Sequence, residues 1–380
     1  MSVADLTRNA VHVLPEGALE EKLALDRPLR VKLGIDVTSP DIHVGRGIPL
    51  QRMRAFQDEG HVGVFIIGDY TTRIGDPSGR STERPILSDS EIDANARTYV
   101  EQAYQIVVPE QTEVRFNSEW LAKLSFADVI LLTRIMTVAQ MLERDDFTDR
   151  YRAGQPISIS ELLYPLMQAY DSVAIEADVE LGGTDQLYNL LAGREVMQAY
   201  GLEPQVVLTN PLLLSWDGEK MSSSIGNNIP LTAPPEEQFG RTMRISDELL
   251  PEWYRLVMQQ ELPSAADPLE AKLSLARWIV ARSHGEEAAR AAEAHFTRVV
   301  REGEAPDEVS ETALPPGDPV HLPAVLAGVF GLSTSEARRL IAQGAVRVDG
   351  EPVSEVDVPR DVVSGALVQA GKRRFVRLVP

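Results

Sequence analysis

A single βαβ unit near the start of the chain constrains the fold more than any other feature. Val31-Lys32-Leu33-Gly34-Ile35 reads as a strand. Gly47-Ile48-Pro49 opens a helix, with proline in the first turn, where its missing N–H costs little. Gly60 closes that helix, and Val62–Ile67 (VGVFII) is a second strand, nearly all apolar as buried parallel strands are. A unit of this kind, roughly 30 residues long, predicts a parallel sheet clothed by helices. Further along, residues 88–156 read as mainly helical, and Ser158 with Glu161 forms a capping box that starts another helix. Val179-Glu180-Leu181 reads as a strand ending in Gly182-Gly183, followed by a helix over about 187–200 and a strand over 205–208. The expectation is an α/β, doubly wound Rossmann-type domain carrying a helical insert.

After Ser224 the pattern is helical, with amphipathic stretches at 271–282 and 286–300. Residues 302–318 (EGEAPDEVSETALPPGD) are acidic and rich in proline and glycine, as a linker is. The last segment carries a capping box at Ser333 and Glu336, a helix ending at Gly344, and a hairpin turn at Asp349-Gly350, so a small α+β domain is expected. The division is 1–232 for the α/β domain (insert about 110–160), 233–301 for an α-helical domain, 302–318 for the linker and 319–380 for the small domain.

Composition narrows the function. No unbroken apolar run approaches the ~18 residues of a membrane span. The first residues, MSVADLTRNAVHVLPEG, lack the basic start and apolar core of a secretory signal. The absence of cysteine rules out disulfides, thiolate metal sites and thiol catalysis. A cytoplasmic protein is the simplest reading. The net charge of −20 argues against nucleic acid as a partner of the chain as a whole. The balance is uneven, though: 319–380 holds eight Lys/Arg against six Asp/Glu, leaving 29 against 51 elsewhere. A polyanion would therefore be met at the C-terminal end.

Two segments carry candidate phosphate chemistry. His43-Val44-Gly45-Arg46-Gly47 lies between the first strand and its helix, where open α/β sheets bind ligands and where a helix N-terminus attracts phosphate. Glycine admits a nucleotide close to the backbone, and imidazole and guanidinium donate to phosphate oxygens. Gly218-Glu219-Lys220-Met221-Ser222-Ser223-Ser224 is a loop with a flexible cation and several hydroxyls. Either alone is also what an ordinary surface loop looks like. Together, in this order, they resemble the HIGH and KMSKS motifs with which class I aminoacyl-tRNA synthetases hold ATP. Tyr164, Gln168 and Asp171, at i, i+4 and i+7, share one helical face.

The segment YPLMQAYD (164–171) resembles the amino-acid-binding helix of tyrosyl-tRNA synthetases, GDYTTRIGDPSG (68–79) their signature loop, and LGGTDQ (181–186) their ribose and amino-acid loop. FNSEW (116–120) and MLERDDF (141–147) resemble one bacterial branch of that family, and SEARRLIAQGAVRVDG (335–350) resembles the ribosomal-protein-S-four-like RNA-binding module. The resemblance implies tyrosine activation by ATP with Mg²⁺, giving tyrosyl-AMP and pyrophosphate, then transfer to the 3′-terminal adenosine of tRNA(Tyr). It implies catalytic roles for His43, Arg46 and Lys220, and ATP contacts from Asp36, Gly45, Gly47, Gly183, Asp185 and Ser222. It implies a tyrosine site of Gly34, Asp76, Tyr164, Gln168, Asp171 and Gln186, with Asp171 on the phenol hydroxyl. RNA contacts fall to Arg338, Arg339, Arg347, Lys372, Arg373 and Arg374, with Arg377 beside them. The insert is where that family forms its homodimer. No protein-bound metal and no membrane are expected.

Two positions depart from the motifs: Arg46 replaces the second histidine of HIGH, and Ser223 replaces the second lysine of KMSKS. The residues thus leave two alternatives open, a paralogue that makes an aminoacyl-adenylate for another acceptor and a non-catalytic RNA-binding protein.

Overall fold

The computed structural model describes residues 2–76, 87–302, 309–371 and 374–380. The chain divides into two compact units, residues 1–233 with 241–275, and residues 234–240 with 276–380.

The first unit is built on a six-stranded sheet of β1 (His12–Leu14), β2 (Arg30–Ile35), β3 (Val62–Ile67), β4 (Thr112–Phe116), β5 (Val179–Gly183) and β6 (Val206–Asn210). The order is β1-β6-β5-β2-β3-β4, parallel except for β1, which runs antiparallel along β6 at the edge. Val31, Leu33, Val64, Ile66, Val206 and Leu208 are buried, as expected for strands covered on both faces. Lys32 is the exception in β2. It is fully buried and pairs in register with Glu180 of β5, Nζ to Oε1 2.8 Å.

Helix α1 (Val44–Asp58) connects β2 to β3. It starts three residues earlier than the glycine-proline signal suggested, because His43 serves as N-cap, its Nδ1 accepting the N–H of Arg46 at 3.3 Å. Pro49 therefore lies inside the helix, and the bond it forgoes would have gone to the carbonyl of Gly45. The stretch 88–156 is helical in α2 (Asp89–Ala103) and in four short helices, Ser118–Leu121, Phe126–Thr133, Val138–Met141 and Asp145–Arg152, but it also contains β4. That edge strand, TEVRF, escaped the reading because its charged residues work laterally: Glu113 takes a two-pronged bond from Arg30 (2.8 Å each), and Arg115 pairs with Glu119. Helix α3 (Ile159–Ile175) begins at the expected capping box of Ser158 and Glu161. It lies with α4 (Leu187–Ala199) against the insert, where Leu132, Met136 and Met141 join Leu166, Ala169 and Val196 in one apolar cluster.

The C-terminal part of the second unit holds β7 (Glu311–Ala313), β8 (Val320–His321), α5 (Leu322–Phe330), α6 (Thr334–Ala342), β9 (Val346–Val348), β10 (Glu351–Pro352), β11 (Asp357–Val358), β12 (Leu367–Ala370) and β13 (Arg374–Val379). Five strands form a sheet ordered β10-β9-β12-β13-β7, and β8 pairs separately with β11. The β9–β10 turn is at the expected place, with Asp349 and Gly350 both at positive φ (47° and 89°). One face of this sheet meets the two helices in a wholly apolar core that includes Leu326, Ala337, Ile341, Val348, Val368 and Val376.

Candidate active site

Strand order reverses direction between β2 and β5, and the carboxyl ends of those two neighbours open a cavity of about 960 Å³. Gly34, Asp36, His43, Gly45, Arg46, Asp76, Tyr164, Gln168, Asp171, Gly183, Asp185, Gln186, Lys220 and Ser222 all border it. Residues from five separate stretches thus converge on one place. Gly47 does not border the cavity. It is buried one step further into α1, where an added Cβ would lie 3.5 Å from Ile106.

At the end formed by the start of α1 and the 220–224 loop, His43 is buried, and its ionisation lies well below the usual imidazole range. Burial is the main cause, and the charges of Arg46 and Lys220 add to it. The ring is therefore neutral. Because Nδ1 accepts from the Arg46 amide, the proton sits on Nε2, and the ring presents a donor. The Arg46 guanidinium donates through Nη1 to the hydroxyl of Tyr99. Across the cavity Lys220 pairs with Asp185, Nζ to Oδ2 2.5 Å. At Gly183 a Cβ would lie 2.5 Å from Asp185 Oδ1 and 2.9 Å from Leu212, so any larger residue there would displace those side chains. Asn227 ties down the 220–224 loop: its side-chain oxygen accepts the N–H of Ser222 (2.8 Å) while its amide donates to Asp217 (2.9 Å) and to the Lys220 carbonyl (3.2 Å). Ser223, at the second departure, accepts from Asn228 at 3.2 Å.

At the other end, Tyr164 donates to Asp36 (3.0 Å), and Gln186 donates to Asp76 (2.7 Å). Asp36 also accepts from Thr71 (2.8 Å), an approach that Gly68 permits, since a Cβ there would lie 2.4 Å from Asp36 Oδ1. Gln168 donates to Glu180 at 3.3 Å. Asp171 is buried at the bottom, accepting from Trp120 Nε1 (2.8 Å) and Asn117 Nδ2 (3.4 Å). Burial pushes its carboxyl up to about 7, against the opposing pull of Lys32 and of the bonds from Trp120 and Asn117. The cavity thus has neutral and cationic donors at one end and the buried carboxyl of Asp171 at the other.

The family described as tRNA synthetases class I (W and Y) matches residues 24–301, and the S4 domain matches residues 322–358. A tyrosine–tRNA ligase of Moorella thermoacetica is 50% identical over 390 residues, covering 98% of this chain and 94% of its own. One from Thermotoga maritima is 46% identical, covering 98% and 96%. The chain belongs to the tyrosine–tRNA ligase family of class I synthetases. Among solved structures, the tyrosyl-tRNA synthetase of Archaeoglobus fulgidus complexed with L-tyrosine shares the fold, with a TM-score of 0.63 at 22% identity, over 76% of this chain and 98% of that one.

Within this synthetase the motif residues are supported by others that sequence reasoning passed over. Asn117 and Trp120 lie in FNSEW, read only as a branch marker, yet both hold Asp171. The pair Lys32–Glu180 anchors α3 to the sheet: Lys32 donates to the Gln168 carbonyl (2.9 Å) and to Ser172 (2.7 Å), and Glu180 accepts from Gln205. A lysine within an otherwise apolar strand was the visible signal. Among the RNA candidates, Arg338 and Arg339 are exposed on α6. Arg347 and Arg377 lie on the opposite, outer face of the sheet, each donating to a nearby backbone carbonyl, Gly350 (3.2 Å) and Gly365 (3.0 Å). Arg374 is exposed at the start of β13, and Lys372 and Arg373 lie outside the described residues.

Proposed function

We propose that the cavity at the β2–β5 switch point is where this tyrosine–tRNA ligase activates L-tyrosine with ATP. The observation that carries the reading is the convergence of His43, Arg46 and Lys220 at one end of a cavity whose other end is the buried Asp171. ATP enters as its Mg²⁺ complex, with the ion part of the substrate. The tyrosine carboxylate attacks the α-phosphate in line and pyrophosphate leaves, so the chain needs no nucleophile of its own and works by positioning and charge stabilisation. His43 Nε2–H and the cations Arg46 and Lys220 receive the negative charge that builds on the leaving phosphates. For Lys220 this means exchanging Asp185 for phosphate, which frees the Asp185 carboxylate to take ribose hydroxyls beside Gly183 and the Ser222 loop. Gly34 lines the wall with no neighbour within 4 Å of where its Cβ would be, leaving room for the substrate. Tyr164, Gln168, Asp76 and Gln186, with Asp36 nearby, hold the tyrosine ammonium. Asp171 accepts the phenol hydroxyl.

The second step transfers tyrosyl to the 3′-terminal adenosine of tRNA(Tyr). In the reading we adopt, 1–232 is catalytic, 233–301 an α-helical domain on the anticodon side, 302–318 a linker, and 319–380 the RNA-binding domain, with Arg338 and Arg339 on its accessible helix; within the linker, Glu311–Ala313 adds the edge strand β7 to that domain's sheet. The insert makes the homodimer, a reading favoured by its exposed apolar side chains, Phe126 (81%), Leu131 (58%) and Val138 (62%). Among the described residues no helix is long and apolar enough to cross a membrane, and we place the enzyme in the cytoplasm. Tyrosine-dependent exchange of labelled pyrophosphate into ATP, followed by charging of tRNA(Tyr), tests the scheme. Exchange without charging would point to the paralogue, and neither activity to a binding protein.

A further inference from the structure

One face of α2 grips the segment that leads into the HVGRG turn. Residues 95, 98, 99 and 102 share that face at helical spacing. Asn95 donates to the Val37 carbonyl (2.9 Å) and Thr98 to that of Pro40 (2.9 Å). Gln102 uses both ends, donating to the Pro40 carbonyl (2.9 Å) and accepting the Ile42 amide (2.7 Å). Tyr99 donates to the Asp41 carbonyl (3.2 Å) and lies 3.1 Å from the hydroxyl of Ser39. Residues 37–42 have no helix or strand of their own, so these side chains satisfy backbone groups that would otherwise need water.

Tyr99 does one thing more. Its ring is fully buried and its hydroxyl accepts from Arg46, whose guanidinium carbon stands 5.6 Å from the ring centroid. Arg46 borders the cavity while Tyr99 does not. We propose that Tyr99 is a positioning residue for adenylate formation, holding the Arg46 guanidinium aimed at the leaving phosphates. The idea rests on the reading of Arg46 as a phosphate donor. Arginine is longer and freer than the histidine usual at this place in the motif, and an untethered guanidinium has to be immobilised in the transition state, whereas a pre-aimed donor costs no reorganisation then. Tyr99 engages one donor of the fork and leaves others for the substrate. The chain Arg46 to Tyr99 to the Asp41 carbonyl fixes the hydroxyl's direction as well, so the tether is rigid at both ends.

The test is a cycle of four enzymes: parent, Tyr99→Phe, Arg46→Ala and the double variant. Stopped-flow adenylate formation, KM for tyrosine and thermal midpoint are measured for each. Phenylalanine keeps the buried ring and removes only the hydroxyl. Tyr99→Phe is expected to slow adenylate formation by about 10-fold, the scale of one lost hydrogen bond to a charged group, with KM for tyrosine unchanged. In the Arg46→Ala background the same change should have no effect. If Tyr99→Phe is silent in the parent, or costs the same factor in both backgrounds, Tyr99 merely supports the 37–42 segment and the proposal fails alone. If Arg46→Ala is as fast as the parent, the reading of Arg46 fails and takes this proposal with it.

Discussion

The Asp171 end of the cavity and the C-terminal sheet domain handle charge in opposite ways. Beneath the cavity Lys32, Glu180 and Asp171 are buried, and each is met by named partners. In the C-terminal domain the core is wholly apolar, and Arg338, Arg339, Arg347, Arg374 and Arg377 are all exposed. In the proposed scheme the difference follows from the ligand. Selecting one small amino acid by its hydroxyl requires a carboxylate removed from water, so that a mismatch leaves it unpaired. Holding a polyanion requires only that cations remain accessible. Substitutions should therefore be severe and specific in the first region, and mild and salt-dependent in the second.

The largest expected effect is on selectivity. Asp171→Ala should abolish the preference for tyrosine over phenylalanine in pyrophosphate exchange while leaving the KM for ATP nearly unchanged. Tyrosine–tRNA ligases are themselves the standard example of this kind of discrimination, roughly 10⁵-fold, so the figure is taken over from the family. A variant that kept the parental preference would remove Asp171 from the phenol. Next in size is stability. Lys32→Met leaves Glu180 buried without its cation, a loss of about 3–5 kcal/mol. Lys32→Met with Glu180→Gln should recover part of it in urea unfolding, because the uncompensated charge goes as well. Equal losses in the single and double variants would mean that the pair fills space and little more.

These two predictions also mark how far the sequence reaches. The βαβ unit, the capping box at Ser158, the Asp349-Gly350 turn and the two ATP motifs are local patterns, and each is legible within a few residues. β1, three residues long, and β4, with charged residues at 113 and 115, carry too little periodicity to be read. The pairing of Lys32 with Glu180 depends on the register of β2 against β5. The bond from Arg46 to Tyr99 depends on where α2 lies. Such contacts between remote segments arise from packing, and single-sequence patterns do not encode them. The C-terminal arginines show the converse: neighbours in sequence, they are divided by the sheet into two faces.

A smaller effect concerns pH. Burial holds the Asp171 carboxyl up at about 7, compared with 3.8 for a carboxyl in water. The folded protein thus keeps a proton that the unfolded chain has lost over that interval. This group's contribution to stability is complete below the unfolded value and is lost as pH rises through about 7. Tyrosine affinity runs the other way, since the phenol donates to the carboxylate: it should rise up to tenfold per unit from about pH 6 towards 7 and then level off. Calorimetric titration should show proton release on tyrosine binding below that point, and Asp171→Asn should show none. A flat affinity in the parent would mean that the carboxylate is already ionised when the site is empty.

The smallest effects belong to the C-terminal arginines, and they decide which face of that domain meets RNA. Arg338 and Arg339 stand on α6, while Arg347 and Arg377 stand behind the sheet with a guanidinium donor already given to a local carbonyl. A duplex or loop lying against one face of the sheet does not contact the opposite face, so only one pair can neutralise its phosphates. We expect it to be the helix pair. Arg338→Ala with Arg339→Ala should raise the KM for tRNA several-fold. It should also flatten the dependence of log affinity on log salt by about 0.7–0.9 for each phosphate that no longer has its cation. Pyrophosphate exchange, which involves no RNA, should not change. Arg347→Ala with Arg377→Ala should leave the salt slope where it was. If the slopes respond in the reverse order, the outer face of the sheet is the RNA surface and α6 faces water.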